Sequence, residues 1–497
     1  MTTLHLVTVD AITTEADVLV VGIEPREPSG IRVVGTALSA TTRKSVETGL
    51  LAVGATGKTN EVTRIPSVAG KNFGSVVAVG LGSEAKRTTD VLRDAVGVAT
   101  RGLADVKKAT FALPTDEPAE LGAVVEGALL GSYTYTALKG TGTSQTKKSV
   151  ARINVIAPTT AEAKRALSAA QIVADAVNAA RDLVNAPSNL INPETFSAIA
   201  VNSLAGLPVK VKVLKLAELI KGGFGGIVGV GQGSQTPPAL VVATYAPAKP
   251  VASLALVGKG ITYDSGGLSI KTAVGMLTMK CDMSGAAAVL QAVAAIARLK
   301  LPIKVTGYMA LAENMPSGSA TRPGDVITHR NGATTEVRNT DAEGRLVLSD
   351  ALVEAAALKP DLIVDIATLT GGQVVALGPN RAAVVGRSDR ARDRVVAAAE
   401  RAGEMVWPMP LSDDLRPLLE SDVADYGNVN RSLTGVGSTI VGGLYLSNFV
   451  PESQEWAHID MAGPAFAESA RGANPAGGTG FGVRTLIEVA RDLAAKG

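Results

Sequence analysis

The sequence predicts an α/β protein with a smaller N-terminal α/β domain, a connecting helix and a larger C-terminal domain whose mixed β-sheet is flanked by helices. The chain has 497 residues, enough for two or three domains. Hydrophobic residues make up 46% of it and charged residues 19%, which is typical of globular proteins and not of disordered chains. Apolar, valine-rich runs alternate with alanine-rich helical patterns, as in sheets covered by helices.

The N-terminal domain is predicted to span residues 1–160. Its clearest strands and helices are the valine-rich runs at residues 18–23 and 76–80 and the alanine-rich segments at residues 91–104 and 121–130. Residues 161–186 then have apolar side chains at helical spacing, and Pro187 follows as a helix stop. We therefore interpret residues 161–186 as the connecting helix.

The C-terminal domain is predicted to span residues 187–497. Its candidate strands and helices are residues 240–245, 253–257, 305–310 and 362–366, and residues 285–299 and 346–357. Strands buried on both faces and separated by helices favour a parallel or mixed sheet. Ligands of such sheets bind at the carboxyl ends of the strands, so the chemistry is expected there.

Two glycine-rich segments fall short of nucleotide-binding motifs. Gly57, Lys58 and Thr59 end like a phosphate-binding loop, but Ala52 occupies the place of its first glycine. Residues 222–233 are rich in glycine, but the next residue, Ser234, stands where a dinucleotide motif requires its last glycine. The segment also precedes a strand instead of following one. We interpret residues 222–233 as a tight surface turn.

Charge and composition disfavour nucleic acid and membrane as partners. Lys and Arg total 48 against 46 Asp and Glu, and residues 1–160 hold 17 basic against 15 acidic residues. We find no uninterrupted apolar run of about 18 residues, the length that spans a membrane. The single cysteine, Cys281, and an N-terminus unlike a secretory signal predict a cytoplasmic protein.

The chain has only three histidines and one cysteine, so a metal site would have to use oxygen ligands, with an amine as the alternative donor. Four carboxylates lie near the ends of predicted strands or just before predicted helices, and glycines surround them in the sequence. They are Asp264, Asp282, Asp341 and Glu343. Such a cluster favours a pair of divalent cations about 3.5 to 4 Å apart. The alternatives are a helix cap for Asp282 and a solvated acidic loop for residues 339–345.

The nearby cations complete the candidate site. Asp341, Glu343 and Arg345 alternate with small residues, which in an extended segment directs all three side chains to one side. Lys259 directly follows a predicted strand and could bind a metal as a neutral amine, because a divalent ion and burial both depress its pKa. Lys271 and Arg345 are suited to polarising a carbonyl or holding an oxyanion. A two-metal phosphoesterase is an alternative, although an amine ligand suits peptide substrates better.

Three segments resemble the leucyl aminopeptidase family, the cytosol aminopeptidases with two metals. They are VGKGITYDSGGLSIK at residues 257–271, MKCDMSGAAAV at residues 279–289 and NTDAEGRL at residues 339–346. The resemblance extends over the C-terminal two-thirds of the chain, including residues 182–193 and 367–372. It implies a metal-dependent aminopeptidase that removes the N-terminal residue of peptides, preferring Leu and other apolar residues.

The resemblance also implies roles for individual residues. The residues that match the family's metal ligands are Lys259, Asp264, Asp282, Asp341 and Glu343, which would hold two Mn or Zn ions. Lys271 and Arg345 match the family's catalytic residues, with a bicarbonate ion expected near Arg345. The residues that match its substrate-binding positions are Met279, Thr368, Leu369 and Gly371. The family pattern further implies a homo-hexamer, and a nucleic-acid-binding role is an alternative known for some members.

Overall fold

The structure of the chain is a computed structural model that describes residues 2–8, 16–35, 38–67 and 72–495. It contains two compact units. One comprises Met1–Asn178 with Glu468–Ala476, and the other comprises Ala179–Ala467 with Gly477–Gly497. Helices and strands alternate in both, which confirms the α/β class and the larger C-terminal domain. The domain boundaries at residues 160 and 186 stay predictions.

The first unit has a sheet covered by helices. Its strands are β1 (Thr3–Val7), β2 (Ala16–Pro25), β3 (Ile31–Val34), β4 (Val62–Pro66), β5 (Phe73–Gly80), β6 (Lys108–Ala112) and β7 (Arg152–Ile156). Its helices are α1 (Ala40–Ala52), α2 (Thr89–Arg101) and α3 (Pro118–Gly131), and α4 (Ala161–Asn185) begins in it.

The described strands of this unit pair in the order β1-β7-β6-β2-β5-β4, with β3 beside β2. The central strand β2 is buried on both faces, because Val18 and Val20 belong to one apolar cluster while Leu19 and Val21 belong to another. This two-sided burial explains why β2 is a continuous apolar run in the sequence.

The second unit carries the longer elements. Its strands are β8 (Val209–Leu214), β9 (Ala239–Tyr245), β10 (Ser253–Asp264), β11 (Lys304–Asn314), β12 (Val326–Thr328), β13 (Thr334–Glu336), β14 (Leu362–Ala367), β15 (Ala382–Gly386), β16 (Val406–Pro408), β17 (Tyr426–Gly427), β18 (Trp456–Asp460), β19 (Phe466–Ala467) and β20 (Gly477–Gly478). Its helices are α5 (Pro193–Leu204), α6 (Leu216–Lys221), α7 (Gly225–Gly231), α8 (Ala273–Met276), α9 (Ser284–Arg298), α10 (Gly344–Ala356), α11 (Gly371–Leu377), α12 (Asp389–Ala402), α13 (Ser438–Ser447) and α14 (Val483–Ala494).

The main sheet of the second unit is mixed, as predicted. Its described strands lie in the order β16-β15-β18-β14-β10-β11-β9-β8. Strands β11, β10, β14 and β18 are mutually parallel, whereas β9 runs antiparallel to β11. The carboxyl ends of four neighbouring strands therefore meet at one edge of the sheet, where ligands bind in folds of this kind.

Helix α9 is a core helix that packs directly on the sheet backbone. A Cβ at Gly258 in β10 would lie 2.5 Å from the carbonyl oxygen of Gly285 and 2.7 Å from the Cα of Ala286. The stretch Met279–Arg298 is long and apolar enough to cross a membrane, but 89% of its most apolar window is buried inside the structure. Its apolar composition is thus accounted for by the core.

The prediction of a tight surface turn at residues 222–233 was wrong. These residues include helix α7, and Gly226, Ile227 and Val230 are buried in it. A Cβ at Gly226 would collide with the carbonyl oxygen of Leu346, so the glycines allow α7 to lie directly against α10. Close helix packing and turns both require glycine, and composition alone does not distinguish them.

We predict that Gly258→Ala lowers the free energy of unfolding of this unit by about 1–3 kcal/mol, because the added methyl would meet helix backbone that cannot move aside. Urea denaturation measures the change. Gly318→Ala is the matched control, since nothing lies within 4 Å of the Cβ position there. Equal stability of the two variants would contradict the close approach of β10 and α9.

Candidate metal centre

Lys259 is a buried cation on the core face of β10. The two-residue period of the strand places it between Val257 and Ile261, which are both fully buried. The lysine is 3% exposed, and its Nζ lies 2.8 Å from both Asp282 Oδ1 and Glu343 Oε1. Strand β10 thus brings a lysine into contact with two carboxylates from different segments.

Asp282 lies in a short 3₁₀ turn, Met279–Met283, directly before α9. Its Oδ1 accepts a hydrogen bond of 2.7 Å from Thr368 Oγ1 at the end of β14. The alternative of a helix cap is not supported, because the N-cap residue of α9 is Met283 and no side chain caps it. Asp282 therefore faces the site and not the helix end.

Asp264 is the last residue of β10 and contacts the second lysine of the site. Lys271 Nζ lies 2.9 Å from Asp264 Oδ2 and 2.5 Å from Asp341 Oδ1. Asp264 Oδ1 accepts hydrogen bonds from the backbone N–H of Gly266 at 2.9 Å and from Asn314 Nδ2 at 2.8 Å. Lys271 thus joins Asp264 and Asp341, as Lys259 joins Asp282 and Glu343.

The expectation that Asp341, Glu343 and Arg345 lie in an extended segment was wrong. Glu343 is helical and forms the N-cap of α10, and Arg345 belongs to that helix. Asp341 and Glu343 nevertheless lie close to Asp264, and one carboxylate oxygen of each lies within 4.8 Å of those of the other two. A helix start, and not a strand, brings the two acids together.

Burial and mutual repulsion alter the pKa values of these acids. Burial, and next the carboxylate of Glu343, raise the pKa of Asp264 to about 7. Burial also raises the pKa of Asp282, whereas Lys259 and Lys271 outweigh burial and lower the pKa of Glu343. The acids therefore compete for the positive charge that two lysines supply.

The pKa of both lysines is raised, because nearby carboxylates outweigh the effect of burial. With protein groups alone, Lys259 is therefore an ammonium. Its predicted role as a neutral ligand requires another cation beside the carboxylates. Burial raises the pKa of the Cys281 thiol to about 12, which keeps it uncharged and unsuited to metal binding.

The donor set fits hard or borderline divalent cations. Two buried carboxylate oxygens, Asp282 Oδ2 and Glu343 Oε2, have no hydrogen-bond partner among the described residues. Unpartnered buried carboxylate oxygens are costly unless they are paired or coordinate a metal. Carboxylates with an amine are ligands that Mn and Zn accept.

Arg345 is a buried guanidinium without an acidic partner. It is 4% exposed, and no carboxylate within the described ranges lies within 4.0 Å of it. Its Nη1 donates to the carbonyl oxygen of Asn428 at 2.6 Å, and its Cζ lies 5.9 Å from the centre of the Tyr445 ring. Burial lowers the pKa of Arg345, but a guanidinium stays charged at neutral pH.

A cavity of about 200 Å³ adjoins the cluster. Its lining includes Asp341, Arg345, Leu369 and Gly371, together with apolar residues of the segment before α13. Met279 and Thr368 are not among its lining residues, although Thr368 contacts the cluster through Lys259 and Asp282. Of the predicted substrate residues, Leu369 and Gly371 therefore line the cavity and Met279 and Thr368 do not.

Sequence reasoning missed two polar residues that connect the cluster. Asn314, at the end of β11, donates from Nδ2 to Asp264 Oδ1 and, at 2.9 Å, to the carbonyl oxygen of Thr340. Thr340 Oγ1 donates in turn to the carbonyl oxygen of Gly266 at 2.7 Å. Asn314 could have been found as a polar residue at the carboxyl end of a strand next to β10.

Comparison with known proteins identifies the family. Residues 178–487 match the catalytic domain of the cytosol aminopeptidase family, and residues 20–142 match its N-terminal domain. The chain belongs to the cytosol aminopeptidase family. The resemblance of its three motifs to that family is thereby confirmed.

Curated relatives agree over the full length. A probable cytosol aminopeptidase of Streptomyces coelicolor is 47% identical, covering 100% of this chain and 99% of that one. A probable cytosol aminopeptidase of Micrococcus luteus is 45% identical, covering 95% of each. A solved structure described as the bottromycin maturation enzyme BotP in complex with Mn is also similar. It has a TM-score of 0.84 and 37% identity, covering 96% of this chain and 100% of that one.

As a cytosol aminopeptidase, the protein is a metal-dependent hydrolase that acts on peptides. The comparisons give no support to the alternatives, a phosphoesterase or an additional nucleic-acid-binding role.

We predict that Asn314→Ala lowers the affinity of this cytosol aminopeptidase for a divalent metal by about 10–100-fold, because Asn314 donates to Asp264, a predicted metal ligand, and hydrogen bonds of this kind orient ligands. Titration of metal-free protein with Mn measures the affinity. Ser317→Ala, an exposed substitution on the following loop, is the control and should bind like wild type. Unchanged affinity in Asn314→Ala would show that Asp264 needs no such support.

Proposed function

We propose that Lys259, Asp264, Asp282, Asp341 and Glu343 hold two divalent metal ions, Mn or Zn. The observation that carries this proposal is the meeting of Asp264, Asp341 and Glu343, with Asp282 joined to Glu343 through Lys259. The buried oxygens Asp282 Oδ2 and Glu343 Oε2 have no hydrogen-bond partner among the described residues. The similar structure solved in complex with Mn also supports it. Lys259 would bind through its neutral amine once a metal neutralises the acids.

The proposed reaction is hydrolysis of the first peptide bond. When bound, a pair of divalent ions acts as a Lewis acid and lowers the pKa of bound water from 15.7 toward ~7. Only a free N-terminal amine has a lone pair for such a site, so cleavage is restricted to the N-terminal residue. The carboxylates of Asp264 and Glu343 would bind the metal ions, and Asn314 keeps the Asp264 carboxylate in position by its hydrogen bond of 2.8 Å.

Lys271 and Arg345 are the proposed catalytic residues. Nearby carboxylates raise the pKa of Lys271, so it stays cationic and can donate to the oxyanion that forms on the scissile carbonyl. Such a donor is typically worth about 3 to 4 kcal/mol in the transition state. Arg345 lines the cavity and pairs with no carboxylate of the described residues, and it would hold a bicarbonate ion as general base.

The proposed substrates are peptides that begin with Leu or another apolar residue. Met279, Thr368, Leu369 and Gly371 are the proposed substrate-binding residues. Leu369 and Gly371 line the cavity beside Asp341 and Arg345, which supports their role. Apolar side chains at such a wall favour apolar substrate side chains, because a charged group would lose its hydration there.

We further propose a homo-hexamer in the cytoplasm, on the basis of family membership. The names of the relatives, cytosol aminopeptidases, support the location. Sedimentation of the purified protein measures the assembly directly.

The two lysines should differ on substitution. Lys259→Ala should lower bound metal per subunit, because it removes a proposed ligand. Lys271→Ala should reduce turnover and leave metal content intact, because its ammonium acts on the substrate. Metal analysis and turnover are measured side by side, with the exposed Lys221→Ala as control. Equal metal loss in both variants, or loss in Lys271→Ala alone, would overturn the assignment.

Substrate selection can be tested with matched peptides. A peptide with a free N-terminal Leu should be cleaved, whereas its N-acetylated form should resist cleavage, because acetylation removes the amine lone pair. The kcat/KM for leucine amide should exceed that for glutamic acid amide by at least ~10-fold if the cavity beside Leu369 and Gly371 favours apolar side chains. Rapid cleavage of the acetylated peptide would contradict the N-terminal restriction, and a flat amide profile would contradict the apolar preference.

A further inference from the structure

A fully buried carboxylate lies beside the proposed site without belonging to it. Asp460 ends β18 and is 0% exposed. Its Oδ1 accepts hydrogen bonds from the backbone N–H groups of Leu369 at 3.1 Å, Thr370 at 3.3 Å and Ala462 at 3.3 Å. Its Oδ2 accepts from Thr370 Oγ1 at 2.5 Å. Most of its partners thus come from one short segment, residues 368–371, which connects β14 to α11.

This segment also contacts the acidic cluster. The carbonyl oxygen of Thr368 accepts from Lys259 Nζ at 2.8 Å, and Thr368 Oγ1 donates to Asp282 Oδ1 at 2.7 Å. Leu369 and Gly371 line the neighbouring cavity. A displacement of the segment would therefore move two proposed ligands and one cavity wall together.

The direct contacts of Asp460 are mainly hydrogen bonds from the loop. In the part of the chain that the structure describes, no lysine or arginine nitrogen lies within 4.0 Å of its carboxylate. A buried carboxylate is costly, and the hydrogen bonds from the loop stabilise it together with the imidazole of His458, whose pKa is raised because Asp365 and Asp460 outweigh burial. An apolar residue would avoid that cost but would release three donors of the loop.

We propose that Asp460 is a positioning residue, which holds residues 368–371 so that Thr368 keeps Lys259 and Asp282 in place for metal binding. The metal part of this inference rests on the proposed function, whereas the ordering of the loop does not. An amide cannot replace the carboxylate fully. The loop donates to both oxygens of Asp460, whereas an amide has only one oxygen that accepts. Thr370 Oγ1 also accepts from the backbone N–H of Gln373 and lies 3.0 Å from Thr439 Oγ1.

Asp460→Asn is the test, with Asp365→Asn as matched control. Asp365 is also 0% exposed, but it lies on β14 and bonds to Trp456 Nε1 and His458 Nδ1 instead of the loop. Hydrogen exchange of residues 368–377 should accelerate at least ~10-fold in metal-free Asp460→Asn and stay near wild type in Asp365→Asn. Mn affinity should fall about 10–100-fold in Asp460→Asn only.

Each outcome is decisive. Wild-type loop exchange in Asp460→Asn, or equal acceleration in both variants, would overturn the positioning role. A loosened loop with unchanged Mn affinity would overturn its connection to the metal ligands. If wild type binds no Mn while the loop still loosens, the proposed function fails and the positioning role stands. Should Asp460→Asn not fold, two other variants replace it: Thr370→Val removes the bonds of this hydroxyl to Asp460, Thr439 and Gln373 together, whereas Thr439→Val removes the contact between the two threonines and leaves the bond to Asp460. Exchange at the backbone N–H groups of Leu369 and Thr370, which bond to Asp460, must accelerate in Thr370→Val and not in Thr439→Val.

Discussion

The contact between Lys259 and two carboxylates is the interaction on which the arrangement of the second unit depends. A charged lysine at a core position of a central strand is costly unless acidic groups compensate it. Asp282 and Glu343 supply that compensation, at 2.8 Å each. The 3₁₀ turn before α9 and the start of α10 must therefore meet at β10. Glycines make the meeting possible, since a Cβ at Gly344 would lie 2.6 Å from Lys259 Cδ.

The same edge of the sheet concentrates the polar residues of the site. Strands β10, β11, β14 and β18 are parallel neighbours, and each ends in or beside a group that contributes to it. The contributing groups at their ends are Asp264, Asn314, Thr368 and Asp460. Strand backbones are rigid, so they position these side chains more accurately than loops alone would.

Arg345 shows how a buried cation is accommodated without an acid. Its guanidinium lies over the Tyr445 ring, and the Tyr445 hydroxyl bonds to Thr335 Oγ1 at 2.8 Å and His329 Nε2 at 3.2 Å. His329 in turn contacts Asp350 at 3.2 Å. This polar network anchors the aromatic face beneath the arginine, which also lines the cavity.

The sequence by itself determined the α/β class, the mixed sheet and the residue types of the site. Apolar runs show which strands are buried on both faces, and three motifs show the family. It did not determine that β10 continues to Asp264, because Gly258, Lys259 and Gly260 interrupt the apolar run. The tertiary structure decided this, since α9 packs against those glycines and two acids compensate the lysine. The contacts of Asp282 and Glu343 with Lys259 form only when distant segments pack together, so the local sequence does not predict them.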